Sequence, residues 1–198
     1  PILEAFHNIK RMDAVLKWDG YPMSKVVAGK EVYLNPQRPD WPEADYIVGN
    51  PPFVGGKDIR ARMGSGYAEA LWQAHKHMNE SADFVMYWWD RSAEILRKPK
   101  SRLKRFGFVT TNSISQVFQR RVIEKHLNDK KPLSIVMAIP NHPWTKVTRD
   151  SAAVRIAMTV AEAGSNDGRL MEVTAEEGVE TDSPVVVFAE REGRINSD

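Results

Sequence analysis

The fold of this chain is decided by the stretch Asp45-Tyr46-Ile47-Val48-Gly49-Asn50-Pro51-Pro52-Phe53. A short apolar run opens the stretch and stops at Asn50, where two consecutive prolines follow. Because proline lacks a backbone N–H and fixes φ, this pattern predicts a buried strand that ends at Asn50. Open α/β sheets place their sites beyond the carboxyl ends of their strands, and this strand would put Asn50 to Phe53 there.

The residues from Asn50 to Phe53 suit the chemistry of an exocyclic amine. Such a nitrogen is a poor nucleophile because its lone pair is delocalised into the ring, and two hydrogen-bond acceptors on its N–H groups localise that pair. The Asn50 side-chain carbonyl and the Pro51 main-chain carbonyl are two such acceptors, held extended because each residue precedes a proline. We therefore predict catalytic roles for Asn50, Pro51, Pro52 and Phe53, with the Phe53 ring stacking on the base. The alternative is an ordinary turn.

The segments around this stretch alternate between strand and helix patterns. Strand patterns occur at 9–13, 32–34, 46–49, 106–110, 133–139 and 153–160. Helix patterns occur at 67–78, at 84–96 behind a Ser81 N-cap with Asp83 in the first turn, and at 116–127. The alternation predicts an α/β fold with a mainly parallel sheet. The last two strand segments have no helix between them, so we expect them to pair antiparallel.

The longer run Gly49-Asn50-Pro51-Pro52-Phe53-Val54-Gly55-Gly56-Lys57 resembles the catalytic motif of MmeI-like DNA methyltransferases. The resemblance covers most of residues 9–175, and segments 82–96 and 106–113 also carry it. It implies a partial Rossmann-like class I methyltransferase sheet with flanking helices and a terminal antiparallel strand pair. The implied activity is methyl transfer from S-adenosylmethionine to the N6 amino group of adenine in DNA, within a restriction-modification-type enzyme.

The resemblance also implies roles for residues outside the catalytic stretch. Met12-Asp13-Ala14 is similar to the family's acidic motif, in which the carboxylate hydrogen-bonds the adenine amino group of S-adenosylmethionine, so Asp13 and Ala14 are expected to bind cofactor. Trp144 lies in the loop whose aromatic residue, in the family, packs against the flipped target base. The alternative for Trp144 is a tryptophan that covers the sheet edge.

The Gly-rich loop that the family uses to bind S-adenosylmethionine does not precede Asn50. We therefore expect the chain alone to bind the cofactor weakly and to be inactive. The family's strand order, 3-2-1-4-5-7-6, predicts that strands 4, 5, 7 and 6 lie side by side. It also predicts that residues 9–16 do not occupy a central position in the sheet.

We expect three regions along the chain. Residues 1–44 form an N-terminal strand and an irregular segment, and residues 45–163 form the catalytic core. Residues 164–198 form an acidic extension towards a recognition domain outside this chain. Residues 162–198 carry ten acidic and three basic residues, a net charge of −7, whereas residues 1–161 carry a net charge of +9. A basic body suits double-stranded DNA as the partner, although charge alone is equally compatible with a solvated surface.

Composition excludes several classes of site and location. With no cysteine, the chain has no disulfide and no thiol or cysteine–zinc chemistry, and its five histidines show no metal-ligand spacing, so we predict no metal. No apolar run approaches the roughly 20 residues needed to cross a bilayer, so we expect a cytoplasmic protein without a membrane partner. Exposed sheet edges would favour a homo-oligomer. The basic run 97–105 is predicted to be a solvated connector rather than a phosphate contact.

Other functions remain open from the sequence. An amino-methyltransferase could act on RNA, on cytosine N4 or on protein glutamine with similar chemistry. Phe53, the Gly55-Gly56-Lys57 extension and the basic body favour DNA. A hypothesis of a different class is a non-catalytic nucleic-acid-binding module with a methyltransferase-like fold.

Overall fold

The computed structural model describes residues 9–144, 154–178 and 185–196. Within these residues the strands are β1 Lys17–Asp19, β2 Lys25–Val27, β3 Lys30–Val32, β4 Leu34–Gln37, β5 Tyr46–Gly49, β6 Arg105–Thr111, β7 Leu133–Pro143, β8 Arg155–Ala163, β9 Gly168–Glu177 and β10 Val185–Gly193. The α-helices are α1 Ile59–Met63, α2 Ser65–Ala74, α3 Met86–Arg97 and α4 Val117–Leu127. Short 3₁₀ turns lie at Gly56–Asp58 and Asn112–Ser115. None of the described helices is long and apolar enough to span a bilayer.

A six-stranded mixed sheet forms the body of the molecule, in the order β10-β9-β7-β8-β6-β5. β5 pairs parallel with β6, and β8 runs antiparallel to both β6 and β7. This confirms the predicted adjacency of the four core strands and the antiparallel pairing of the last two. The α/β class with flanking helices is likewise confirmed. The predicted mainly parallel sheet is wrong, because only the pairs β5–β6 and β7–β9 are parallel and the other three pairs of this sheet are antiparallel.

The hydrophobic core lies between the sheet and helices α3 and α4. β6 alternates between the two faces of the sheet, so Phe106 and Phe108 are buried. The fully buried Trp89 of α3 packs edge-on against Phe106, with ring centroids 5.1 Å apart. On the edge strand β5, Tyr46 and Val48 are exposed. The helices therefore cover one face of this sheet. The loop after β5 begins beside β6, because these two strands pair in parallel.

The predicted strand at 9–13 is wrong, because residues 9–16 form no strand. The Asp13 carboxylate accepts hydrogen bonds from the backbone N–H groups of Val15 and Leu16, at 2.9 Å each, which turns the chain away from an extended path. Val15 and Leu16 then insert into the core. As expected, this segment lies outside the six-stranded sheet.

Three other element predictions need correction. The strand predicted at 32–34 is replaced by β3 and β4, which belong to two separate two-stranded sheets. The helix predicted to continue to Met78 ends at Ala74, where His75 leaves helical geometry. The next helix begins at Met86 without a side-chain cap, since the chain from Asn79 to Val85 makes turns instead.

The strands β9 and β10 were not predicted from the sequence pattern. β9 pairs parallel with β7, and β10 pairs antiparallel with β9, so the acidic segment extends the sheet beyond β7. Cross-strand ion pairs contribute to this extension, including Arg191 with Glu172 at 3.1 Å. Because side chains of opposite charge can pair across neighbouring strands, a charged segment can form strands without the apolar pattern that would predict them.

Candidate functional site

The loop after β5 starts at Asn50, the predicted place, directly beyond the carboxyl end of the strand. Gly49 pairs with Phe108 of β6, and a Cβ at Gly49 would lie 3.2 Å from the Phe108 ring. Asn50 is exposed, Pro51 is buried and Phe53 is half-buried. The loop is therefore anchored by Pro51 and leaves the Asn50 side chain open to solvent.

The hydrogen bonds of the loop leave two acceptors unused. The Pro52 carbonyl accepts from the Val54 N–H at 3.1 Å, and the Val54 carbonyl accepts from the Phe84 N–H at 2.8 Å. Within the described part of the chain, neither the Asn50 side chain nor the Pro51 carbonyl has a hydrogen-bond partner. These are the two oxygen atoms that the amine chemistry requires.

Phe53 and Trp144 come together although they lie far apart in the chain. Their ring centroids are 6.2 Å apart, with an interplanar angle of 75°. Trp144 follows β7 directly and is 38% exposed, and its backbone N–H donates to the Val154 carbonyl at 3.0 Å. The rest of its loop, 145–153, lies outside the described residues. Trp144 is thus in ring contact with Phe53, three residues after Asn50 in the same loop.

Asp13 is engaged by protein donors. Besides the Val15 and Leu16 N–H groups, its carboxylate accepts a hydrogen bond from the Tyr67 hydroxyl at 2.7 Å. Burial, followed by the Asp13 charge, raises the pKa of Tyr67 far above its ordinary value, so this hydroxyl stays a donor. The Ala14 carbonyl accepts from the Trp41 indole N–H at 2.7 Å.

A carboxylate offers roughly four acceptor positions, so Asp13 keeps about one for a further N–H donor. Asp13 is only half-buried, and that position suits a single amino group of a nucleoside. The remaining acceptor position of Asp13 can therefore take one N–H donor, such as an exocyclic amino group. Aromatic packing links this position to the catalytic loop, because Tyr67 packs edge-on against Phe84 with centroids 6.2 Å apart.

Three polar residues near the site, Asp83, Asn112 and Ser113, were not predicted from the sequence to belong to it. Asp83 was expected to stabilise a helix N-terminus, but its carboxylate instead accepts from the Gly56 N–H at 3.0 Å and from the Ser113 hydroxyl at 2.5 Å. The Asn112 side-chain oxygen accepts from the Asn141 N–H at 2.7 Å. The sequence signal for these residues was the polar run after β6, but their hydrogen-bond partners depend on the order of strands in the sheet.

A second polar cluster surrounds Asp90 on α3. His77 and His126 contact its two oxygens at 2.7 and 2.8 Å. Burial opposes ionisation of Asp90, but these hydrogen bonds outweigh it and hold the pKa of Asp90 well below its ordinary value. His77, Asp90 and Glu94 are close enough to hold a metal ion, which spacing along the sequence did not suggest. Arg38, at 2.7 Å from Glu94, and Arg91 already supply positive charge to that carboxylate.

The basic run 97–105 is largely paired with carboxylates. Arg97 contacts Asp129 at 2.6 Å, and Arg105 contacts Glu162 at 2.6 Å. Arg102 and Lys104 both contact Asp45, at 3.1 and 3.6 Å. Such pairing is consistent with a connector between α3 and β6.

Comparison with known proteins gives one family. Residues 3–172 match the family described as the MmeI DNA-methyltransferase domain. Among solved structures, the type IIL restriction-modification enzyme MmeI in complex with DNA is similar, with 24% identity and a TM-score of 0.50 over 73% of this chain. The chain spans only 18% of that MmeI chain.

Another similar structure is a modification subunit attributed to a type I restriction enzyme from Vibrio vulnificus YJ016. It has 17% identity and a TM-score of 0.45, and the match covers 69% of this chain and 26% of that one. No curated protein sequence matches the chain.

Proposed function

Because this chain belongs to the family of MmeI DNA-methyltransferase domains, we propose that it methylates the N6 amino group of adenine in double-stranded DNA, as the catalytic core of a restriction-modification enzyme. The observation that carries the proposal is the pair of unpartnered acceptors on Asn50 and Pro51. They stand at the carboxyl end of β5, next to the aromatic pair Phe53 and Trp144.

In the proposed mechanism, the Asn50 and Pro51 oxygens accept the two N–H groups of the target amine. This localises the nitrogen lone pair and aims it away from the acceptors. As the nitrogen gains the methyl group as its fourth substituent it becomes positively charged, and the same two oxygens stabilise that charge until one of its two protons leaves. Because buried Pro51 anchors the loop, little reorganisation is needed when the base arrives.

The aromatic pair would hold the base out of the duplex. A base inside double-stranded DNA cannot reach the Asn50 side chain, so the enzyme must extrude it and replace the lost stacking. Phe53 and Trp144 provide aromatic surface for this, and stacking on one aromatic side chain contributes about 1–3 kcal/mol per base. Half-buried Phe53 supplies a fixed surface, whereas Trp144 approaches from the opposite loop.

S-adenosylmethionine, when bound, supplies the methyl group. On this chain, Asp13 would hold the cofactor's amino group with its remaining acceptor position, and Tyr67 keeps the carboxylate oriented. The proposal thus assigns Asp13 to cofactor binding and Asn50 to the target amine. Ala14, the next residue, would adjoin the same position, with its carbonyl held by the Trp41 indole N–H.

The test is methyl transfer by the intact protein that carries this chain. Labelled S-adenosylmethionine is supplied with DNA, RNA or protein, and the product is digested and identified. We expect N6-methyladenine in DNA, and a loss of about 100- to 1,000-fold in kcat for Asn50→Ala, since one positioned acceptor is removed. Asn128→Ala, an exposed asparagine at the far end of α4, is the matched control and should leave kcat unchanged.

Each other result points to a different function. Label in RNA, in cytosine N4 or in glutamine would replace the proposed substrate. DNA binding without any transfer would identify a non-catalytic module. Full activity of the Asn50→Ala variant would overturn the proposed mechanism.

A further inference from the structure

The separation between the Phe53 and Trp144 rings is set by loops from opposite parts of the chain. Phe53 follows β5, Trp144 follows β7, and β6 and β8 lie between these strands in the sheet. No direct hydrogen bond joins the two loops within the described residues. The distance of 6.2 Å between the ring centroids must therefore be maintained by another part of the fold that contacts both loops.

The Phe53 loop is fastened to the segment around Asp83. Gly56 is buried so closely on this segment that a Cβ there would lie 2.2 Å from the Ser81 carbonyl oxygen. The Asp83 carboxylate accepts the Gly56 N–H at 3.0 Å, and the next residue, Phe84, donates its N–H to the Val54 carbonyl at 2.8 Å. The exit of the catalytic loop is thus held at two backbone positions.

The other oxygen of Asp83 reaches the 3₁₀ turn that follows β6. It accepts the Ser113 hydroxyl at 2.5 Å, and that hydroxyl also contacts Thr111 at 2.6 Å. A charged acceptor makes such hydrogen bonds short and strong. Asp83 therefore ties the Phe53 loop to the turn Asn112–Ser115.

The same turn holds the Trp144 loop through the neighbouring residue. The Asn112 side-chain oxygen accepts the Asn141 N–H at 2.7 Å, where the chain takes a left-handed φ of 54°. Arg155 donates to the Asn141 carbonyl at 3.1 Å and forms an ion pair with Glu176. Both backbone groups of Asn141 are thereby fixed three residues before Trp144.

We propose that Asp83 and Asn112 are positioning residues that hold the Phe53 and Trp144 rings at the separation needed to receive an extruded base. The proposal rests on the proposed function. Asp83 binds Ser113, and Asn112 precedes Ser113 in the same turn, so the two positioning residues act through adjacent points of the fold. Neither touches the base, so loss of either should slow the chemical step more than it weakens DNA binding.

The test uses the intact protein and the methylated site mapped by the labelling experiment. For Asp83→Ala and Asn112→Ala we expect kcat to fall about 10- to 100-fold, because small displacements of reacting groups have effects of that size. The dissociation constant for DNA should change much less. Fluorescence of 2-aminopurine at the target position, which reports base extrusion, should fall in parallel with kcat.

Two conservative variants and one control separate positioning from stability. Asn112→Asp keeps the acceptor for the Asn141 N–H and should restore most of the kcat and fluorescence, and Asp83→Asn should retain part of both. Ser134→Ala removes a hydroxyl that bridges the Gly164 carbonyl and the Asn166 N–H at the start of β7. It should lower the melting temperature without changing kcat or base extrusion.

The outcomes distinguish this proposal from the proposed function. If the wild type methylates DNA and the two alanine variants keep its kcat and fluorescence, the positioning role is overturned alone. The same holds if they lose only melting temperature, as Ser134→Ala does. If the wild type neither methylates nor extrudes the base, both proposals are overturned together.

Discussion

Gly56 lies where the loop after Phe53 passes over the carbonyl oxygens of Ser81 and Ala82. A Cβ at this position would come within 2.2 Å of the first oxygen and 2.9 Å of the second, and both are backbone atoms that cannot rotate away. Gly55, one residue earlier, has an ordinary φ of −63° and its nearest neighbour is the flexible Asp58 side chain at 3.3 Å. Two adjacent glycines therefore have different structural roles.

We expect Gly56→Ala to lower the free energy of unfolding by about 1–3 kcal/mol, as overpacking in a tight site does. It should also reduce kcat, because the displaced backbone carries Asn50 and Phe53. Gly55→Ala should change both quantities little. Urea denaturation and methyl-transfer kinetics measure them, and equal effects of the two substitutions would contradict this reading of the loop.

His75 is a buried histidine that the proposed reaction does not use. Its Nε2–H donates to the Val15 carbonyl at 2.8 Å, which fixes the tautomer. Burial lowers the pKa of His75 to about 4, despite the opposing effect of this hydrogen bond. The folded protein therefore keeps His75 neutral in a range where the unfolded chain takes up a proton.

The pH dependence of stability follows from this difference. Neutral His75 makes its full contribution to the free energy of unfolding above the ordinary pKa of about 6.5. This contribution is lost as the pH falls towards 4, and the loss amounts to about 3 kcal/mol. His75→Gln keeps an N–H donor but does not titrate. Urea denaturation at several pH values should give a smaller decrease between pH 6.5 and 4 for this variant, and an unchanged slope would exclude His75 as the cause.

Among the elements, β5 and β10 form the two edges of the sheet and differ in their protection. β10 carries charged residues at three positions, whereas β5 carries none. Val48 of β5 is 86% exposed. Natural edge strands use charges to prevent pairing with other chains, so β5 is the edge expected to associate.

We predict that Val48→Lys reduces concentration-dependent association of this chain without lowering its melting temperature. The added charge would make strand pairing at β5 costly, and the residue has little packing to lose. Val185→Lys on β10 is the matched control and should leave association unchanged. Light scattering over a concentration series decides the matter, and persistent association of the Val48→Lys variant would place the contact elsewhere.

Across the molecule, Asp13 is connected to the loop after β5 through Tyr67 and Phe84, since Tyr67 donates to Asp13 and packs on Phe84, whose N–H donates to the Val54 carbonyl. The cofactor site proposed at Asp13 is the least complete part of the proposed function. Asp13 already accepts three protein hydrogen bonds, and no Gly-rich strand–helix turn precedes β5 in this chain. The chain therefore offers few contacts to the ribose and methionine portions of a nucleoside cofactor.

We accordingly expect residues 1–198 alone to bind S-adenosylmethionine weakly or without measurable heat in titration calorimetry. The intact protein should bind it more tightly. Asp13→Asn, which keeps one acceptor oxygen, should weaken binding by the intact protein without abolishing folding. Tight binding by residues 1–198 would show that this chain contains a complete cofactor site.

The acidic segment has some features that could be predicted from the sequence and others that depend on the tertiary structure. Its charge pattern predicted an extension beyond the core, whereas the structure shows two strands added to the sheet. Arg169 and Glu190 face each other across β9 and β10 at 2.5 Å, so part of the charge is matched within the hairpin. Such pairing requires the register of the strands, which composition does not contain.

Local sequence patterns were sufficient to predict the strand that stops at Asn50, the two acceptor oxygens after it and the antiparallel pairing of β7 and β8. These features follow from local physics, since proline geometry and apolar periodicity act within a few residues. The contact of Phe53 with Trp144 and the hydrogen bonds that join Gly56 to Ser113 through Asp83 were found only in the folded chain. Those contacts join segments distant in sequence, and they depend on the order in which strands pair and on the side chains that packing brings within reach.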